Sequence, residues 1–420
     1  MKTTPVNGTK EYLPQEAELR DFLECQIMRA YRESGFRRIY TPILEDIDNL
    51  DKSDGGENLA IIFKVLKRGE KLEKAIAADG PLADLGLRYD LTLPLARFYA
   101  NNRSKLPNPF KCIQIDRVYR AERPQKGRLR EFRQCDIDII GSSSTDCETE
   151  LILVTASALQ KLLGRRSIIV HINDRALLSI VLSRLGFDDL STVCMTLDKY
   201  DKIGASGVLD ELSAKGHDKT LIEKFLKAAE NSASPRAFAA LAGEGAADSP
   251  AASLSTIIDN VRTLSDVDIK FNPLLVRGQG YYTGAVFEIE AAGYPGSVAG
   301  GGRYDGMIGK FIGEDVPAVG FSIGFERIFD ILSKTASCII IPDKPKITLF
   351  YEESSGFKAV WRETEKLKEK YLVTLKTMPK KLGKALDREY SDGANGFMIF
   401  GKDEAPRMFE KERQAAEARV

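Results

Sequence analysis

Between Glu131 and Ile140 the side chains alternate in character as well as in direction. Successive residues of an extended strand point to opposite faces, so Glu131, Arg133, Cys135, Ile137 and Ile139 share one face, and Phe132, Gln134, Asp136, Asp138 and Ile140 the other. A ring, an amide and two carboxylates in a row do not make a plain core face. They suit a polar pocket, the ring to stack on a flat ligand and the acids to meet hydrogen-bond donors. The segment before it, FKCIQIDRVYR, is strand-like too, and the ERPQKGRLR between them carries Pro124 and Gly127, so the whole reads as a hairpin with a long arginine-rich loop. Any fold for this chain must turn one polar strand face toward a cleft and hold a cationic loop beside it.

The cations need a partner. Arg120 to Arg133 holds five arginines and a lysine, while the whole chain balances 61 basic against 61 acidic residues, so a polyanion would be met by a local patch and not by a global field. Arginine forks bind phosphate oxygens bidentately. Arg277 follows the apolar Leu274, Leu275 and Val276 and precedes paired tyrosines; Arg327 sits among Phe325, Ile328, Phe329, Ile331 and Leu332. A structural ion pair serves each of Arg120, Arg277 and Arg327 as well as a ligand does; the three together favour a phosphate ligand, because half-buried cations need anionic partners. Gly300, Gly301 and Gly302 would let backbone approach it closely.

Other routes to phosphate or to hydrolysis fail. GGGRYDGMIGKF is not a P-loop, since Lys310 precedes Phe311, and GQGYYTG misses the dinucleotide fingerprint. With two histidines, six scattered cysteines and no Cys-x-x-Cys pair, neither a zinc site nor a Ser/His/Asp or Cys/His hydrolase is indicated. The phosphate site is expected on an open sheet lined by arginines.

At 420 residues and 43% hydrophobic, the chain is long and apolar enough for two or three domains. EAELRDFLECQIMRAYRESGF is an amphipathic helix, RRIYTPILE a strand broken at Pro42, and GLRYDLTLPLARFYA a strand leading into a helix. From about 170 to 260 the texture is short and helical. Strand signals return at LLVRGQGYYTGAVFEIEA, pass through the glycine-rich GSVAGGGRYDGM and reach a helix, VGFSIGFERIFDILSK. A linker then leads to an alternating β/α segment ending in the charged, helix-like KDEAPRMFEKERQAAEARV.

An arginine strand with Arg-x-Glu, a loop, then Phe and Gln on a returning strand, with a distant GFERI helix, resembles motifs 2 and 3 of class II aminoacyl-tRNA synthetases; GFRRIYTPILE resembles motif 1. Within that class, ERPQKGRLREFRQCDIDIIG, LRYDLTLPLAR and LVRGQGYYTGAVFE are similar to the histidyl-tRNA synthetase family. The resemblance implies an α+β fold: an antiparallel sheet core flanked by helices (1–168 and 262–334), a mostly helical insertion (169–261) and a short α/β domain like the family's anticodon-binding domain (345–420). It implies ATP with Mg2+, histidine and tRNA(His) as ligands, and a homodimer. Residue by residue, it places Arg120 on the α-phosphate and the histidine carboxylate, Glu122 on the adenine amino group, Phe132 against adenine, and Arg128 and Arg327 on the outer phosphates. Asp90, Thr92 and Gln134 would meet the histidine α-amino group; Asp138 with Tyr282, beside Tyr281, its imidazole. Arg277 and Arg120 would be catalytic, Arg277 stabilising charge as the carboxylate attacks phosphorus.

Arg123, Gln125 and Lys126 could meet the tRNA acceptor end, or be a solvated loop. Gln279 and Gly280 stand where the family commonly has Leu-Asp. Lys366, Lys368, Lys370, Lys380, Lys381 and Lys384 could form a basic face for tRNA or a solvated helix face. The alternative activity is that of a non-catalytic, histidine-sensing regulatory subunit of ATP phosphoribosyltransferase; a plain RNA-binding module would leave Asp90, Asp138 and Tyr282 unexplained. No apolar run approaches about 18 residues, and no membrane association and a cytoplasmic location are expected.

Overall fold

The structure, a computed structural model, describes residues 1–52, 59–124, 129–164, 167–277, 280–334 and 344–409. The chain divides into two units, Met1–Glu11 with Leu23–Lys334, and Tyr12–Phe22 with Thr335–Val420.

The first unit is built on strands β1 (Arg37–Arg38), β2 (Leu44–Asp46), β3 (Lys64–Leu66), β4 (Ala83–Leu87), β5 (Phe110–Tyr119), β6 (Glu131–Ile140), β7 (Ile168–Asp174), β8 (Asp268–Phe271), β9 (Ala285–Ala291), β10 (Ser297–Arg303) and β11 (Ala318–Gly324). Eight of them form one sheet in the order β1-β5-β6-β11-β10-β9-β7-β8. Its pairings are antiparallel except at the two edges, where β1 runs parallel to β5 and β7 to β8. β2, β4 and β3 make a separate antiparallel sheet.

The β5–β6 hairpin has the expected form: Phe110 faces Ile140 at one end and Tyr119 faces Glu131 at the other. The expected alternation of β6 holds as well. On one face Arg133 reaches Glu24 of the helix Pro14–Glu33 at 2.7 Å, and Cys135, Ile137 and Ile139 are buried. That face is closed by helices, which leaves Gln134, Asp136 and Asp138 to the other. The next strand corrects the sequence reading. The helix expected from Val319 begins only at Phe325, and Ala318–Gly324 is strand β11. Val319, Phe321 and Ile323 alternate with Gly320, Ser322 and Gly324, a period of two that competes with the helical one and wins once β6 offers a pairing edge. Leu274, Leu275 and Val276, read as strand, lie before β9 in turn and irregular structure, and are buried all the same.

After β7 joins the sheet, residues 175–264 carry helices Arg175–Leu185, Leu190–Leu197, Tyr200–Ala214, Lys219–Glu230, Pro235–Ala239 and Asp248–Leu264. Their starts are written locally. Asp174, Asp189, Asp218 and Ser234 each accept a backbone N–H of the first turn, satisfying donors that have no partner within the helix.

In the second unit, β12 (Lys346–Tyr351), β13 (Leu372–Thr377), β14 (Gly396–Ile399) and β15 (Arg407–Met408) form a sheet in the order β13-β12-β14-β15, with Leu349, Val360 and Met398 at its core. β15 corrects the helical reading of the tail as far as residue 409: Pro406 has no N–H to give a helix, and Arg407 and Met408 instead pair antiparallel with Phe397 and Gly396, while the rest of that stretch, 410–420, lies outside the described residues.

One buried cation in the first unit is not bound for a ligand. The Arg88 side chain has no exposed surface; it donates to Arg117 O at 2.8 Å and Thr41 O at 2.9 Å and pairs with Asp116 at 2.8 Å. It therefore joins the end of β5 to the segment between β1 and β2. Arg88→Ala strips three acceptors of their partner, and should cost about 3–5 kcal/mol in urea denaturation, far more than loss of an exposed arginine such as Arg103.

Candidate active site

On the face of β6 that the helices leave open lies a cleft of about 50 Å³. Asp90, Thr92, Gln134, Asp138, Arg277, Tyr281 and Tyr282, seven residues expected in the site from widely separated parts of the sequence, all line it. So do Asp136, Tyr304, Ser322, Phe321, Gly320 and the three glycines of β10.

The floor explains the arrangement. Gly300 and Gly302 of β10 and Gly320 of β11 lie where neighbouring side chains must cross the sheet. A Cβ on Gly300 would stand 1.8 Å from Arg277 Nη1, and one on Gly320 would stand 2.0 Å from Asp138 Oδ1. Only bare backbone lets the arginine and the carboxylate lie flat on these strands. Arg277 is held there by Glu288 of β9, 2.6 Å from Nη1, with both side chains about one-fifth exposed. Its buried Nε has no protein acceptor. The anionic partner that the sequence demanded for Arg277 is thus partly internal, and the cation keeps a donor in reserve.

Asp138 is buried and accepts a 2.6 Å hydrogen bond from the Tyr304 hydroxyl. Burial drives its carboxyl up from the usual 3.8 to about 7, against the pull of that hydrogen bond, and charge on Asp90 adds to the rise. Asp136 is raised well above the carboxylate range by burial first and then by Asp138. Tyr281 and Tyr282 pack with ring centroids 4.8 Å apart and planes tilted by 56°, and Tyr281 meets Tyr304 edge-on at 6.0 Å. Burial foremost holds all three hydroxyls protonated, so they serve as donors.

Arg120 and Phe132 adjoin this group without lining the cleft. The Arg120 guanidinium sits 5.1 Å from the Phe132 ring and donates to Tyr89 O at 3.0 Å. Glu122 is half-buried and Arg123 exposed. Arg327, half-buried on the helix Phe325–Lys334, donates to Ser297 O. Gln125, Lys126, Arg128 and Gln279 lie outside the described residues. Tyr304, Glu288, Ser322 and Gly320 are the site residues that sequence reading missed. Glu288 could have been found by carrying the alternation of AVFEIEA across to Arg277, and Tyr304 by its place directly after GGGR.

A family model described as histidyl-tRNA synthetase matches residues 8–328. Over 345 residues the chain is 43% identical to histidine–tRNA ligase of Leifsonia xyli subsp. xyli, covering 78% of this chain and 80% of that one. The chain belongs to the histidyl-tRNA synthetase family. Among solved structures it resembles the histidyl-tRNA synthetase from Nostoc sp. PCC 7120, with a TM-score of 0.78 and 24% identity over 100% of both chains. It also resembles a protein of Bacillus halodurans C described as an ATP phosphoribosyltransferase regulatory subunit/histidyl-tRNA synthetase, with a TM-score of 0.76 and 18% identity over 95% of this chain and 98% of that one. At these identities the two structures speak for the fold, and the mixed, mostly antiparallel sheet core with its helices is the family's.

The raised carboxyl at the base of this synthetase-family cleft has a consequence for stability. Because Asp138 holds its proton to about pH 7 when folded, the folded state is the more protonated one above the ordinary carboxylate range. Its favourable contribution is present at low pH and lost as pH climbs from about 4 to about 7. Asp138→Asn should therefore gain on the parent by roughly 2 kcal/mol between about pH 5 and pH 8 in urea denaturation without ligand; a difference that stays flat with pH would refute the assignment.

Proposed function

We propose that the cleft activates histidine with ATP and that the chain is a histidine–tRNA ligase. The observation that carries this is the convergence of Asp90, Thr92, Gln134, Asp138, Tyr281 and Tyr282 around one anchored arginine, in a chain of this family. Its substrates are histidine, ATP and tRNA. In the first step a carboxylate oxygen of histidine attacks the α-phosphorus of ATP, the bond to the bridging oxygen breaks, and pyrophosphate leaves. In the second, the terminal ribose hydroxyl of tRNA(His) attacks the carbonyl carbon of the adenylate, and AMP leaves.

No side-chain nucleophile is required. Arg277 and Arg120 supply positive charge where negative charge develops on the α-phosphoryl oxygens, from positions fixed before the substrates arrive. Arg277 is the better prepared, pinned by Glu288 over Gly300. Phe132 and Glu122 receive adenine; Arg327 and Arg128 take the outer phosphates. Asp90, Thr92 and Gln134 receive the α-amino group, while Asp138, set by Tyr304, accepts an imidazole N–H beside Tyr281 and Tyr282. An amino acid without a ring N–H leaves that buried carboxyl unpaired, which is the basis of selectivity. Among the described residues no group of three or more His, Cys, Asp or Glu side chains could hold a metal ion; Mg2+ arriving with ATP would add positive charge to that which Arg277 and Arg120 supply.

The regulatory-subunit alternative is the weaker one, because the curated relatives at 43% and 38% identity are named histidine–tRNA ligase and probable histidine–tRNA ligase. For the homodimer, support comes from Leu44, Leu66 and Leu85, exposed on the small β2-β4-β3 sheet, a surface that suits a protein partner. Arg123 with Gln125 and Lys126 remains the proposed contact for the acceptor end. For the second unit, Lys366 and Lys368 are already paired with Glu363 and Glu365. Lys370, Lys380, Lys381 and Lys384 make no ion pair among the described residues, and these are the cations left for an anticodon stem. Among the described residues no helix is long and apolar enough to cross a membrane, and substrates that include tRNA fit a cytoplasmic enzyme.

Histidine-dependent exchange of labelled pyrophosphate into ATP tests the reading, with the other amino acids as controls. Exchange with histidine alone is expected; histidine binding without exchange would hand the molecule to the regulatory alternative. Glu288→Ala, which frees Arg277, should lower kcat for exchange by about 10- to 100-fold with a smaller effect on the histidine KM.

A further inference from the structure

Asp136 has no task in the activity as described, and it is the one inward-facing acid of β6 left unassigned. It is 5% exposed, lines the cleft between Gln134 and Asp138, and its Oδ1 is a buried acceptor with no protein donor. Gln134 Oε1, one inward position along the same strand, is in the same state. Two orphaned acceptors side by side are costly in an empty site and call for a ligand that brings several donors.

The surroundings say which kind. The cross-strand neighbours of Asp136 are Gln114 and Ser322. Gln114 spends its amide on Leu91 O at 2.9 Å and accepts from Thr41 at 3.0 Å. Ser322 bonds to the Asp136 carboxyl and lies 3.5 Å from Gln134 Nε2, so one hydroxyl sets both residues. Of the charged groups that act most strongly on Asp136, Asp90 and Asp138 are acids and Arg120 is a cation. Arg277 is engaged by Glu288. A compact cation with several N–H donors fits that imbalance, and an α-ammonium group carries three in a tetrahedral spread. A ring N–H offers one, and Asp138 with Tyr304 already forms its partner.

We infer that Asp136 is a direct ligand of the substrate α-ammonium group: its Oδ1 and Gln134 Oε1 accept two of the three N–H bonds, and the carboxylate supplies the counter-charge. This rests on the assignment of the cleft to histidine. It adds a determinant for the α-amino group that is distinct from Asp90 and Thr92, and it accounts for two carboxylates on β6: one reads the side chain, the other the amino group.

Calorimetry of the full chain with three probes tests it: L-histidine, histamine, which keeps the ammonium but lacks the carboxylate, and imidazolepropionate, which keeps the carboxylate but lacks the ammonium. Asp136→Asn is expected to weaken histidine and histamine by about 10- to 100-fold, the scale of a lost charge-assisted hydrogen bond, and to leave imidazolepropionate within about twofold. Equal weakening of all three, or of none, overturns the inference. Ser322→Ala, which only unseats the carboxyl, should show the same selectivity at smaller size, and serves as the test if the Asn variant does not fold. Parent protein that binds none of the probes would instead sink the histidine assignment of the cleft and leave Asp136 without this role.

Discussion

The cleft depends on a guanidinium laid across a strand that has no side chain to obstruct it. Arg277 can lie over Gly300 only because β10 is bare there, and it stays only because Glu288, on the neighbouring strand β9, meets it at 2.6 Å. Remove the glycine and the arginine has no room; remove the acid and it has no reason to lie flat. The same logic operates one strand away, where Asp138 crosses Gly320 and is caught by Tyr304. Each of these two cleft groups is thus fixed twice, by a missing side chain beneath it and by a hydrogen-bonding partner beside it. Such duplicate fixing makes preorganisation inexpensive at the moment of reaction, because no group has to be recruited from solvent.

How much of this was legible beforehand differs by residue. The β5–β6 hairpin and the two faces of β6 followed from a period of two and a loop marked by Pro124 and Gly127, signals that are local and that no tertiary contact overrode. The gathering of Asp90, Asp138, Arg277 and Tyr282 in one cleft was legible only through family resemblance, since nothing local says that segments so far apart in sequence will meet. Glu288 and Tyr304 stayed hidden because their importance lies in cross-strand registry, which a single strand does not encode. β11 was misread because VGFSIG carries apolar residues that suit either period and abuts a true helix start at Phe325. Arg88 is the opposite case: a cation with no bearing on ligands, which composition cannot tell from the ones that matter.

Buried ionisable groups of the first unit include both structural ion pairs and cleft carboxyls. Arg88 with Asp116, and Arg303 with Glu148 at 2.6 Å, are ion pairs that join elements of the first unit. Asp136 and Asp138 face the cleft: burial pushes both carboxyls upward, and Asp136 Oδ1 and the neighbouring Gln134 Oε1 have no protein donor.

Those open acceptors also tie the abundance of the folded protein to its own substrate. Three acids share one cleft, so near neutral pH the molecule without substrate must either retain protons or tolerate like charges at close range, and under the proposed function the α-ammonium group of the bound amino acid relieves both. Binding that favours the folded state alone shifts the folding equilibrium by mass action. The supply of amino acid that sets the rate of charging therefore also sets how much of the chain withstands unfolding and proteolysis, so that scarcity would thin the enzyme as well as slow it.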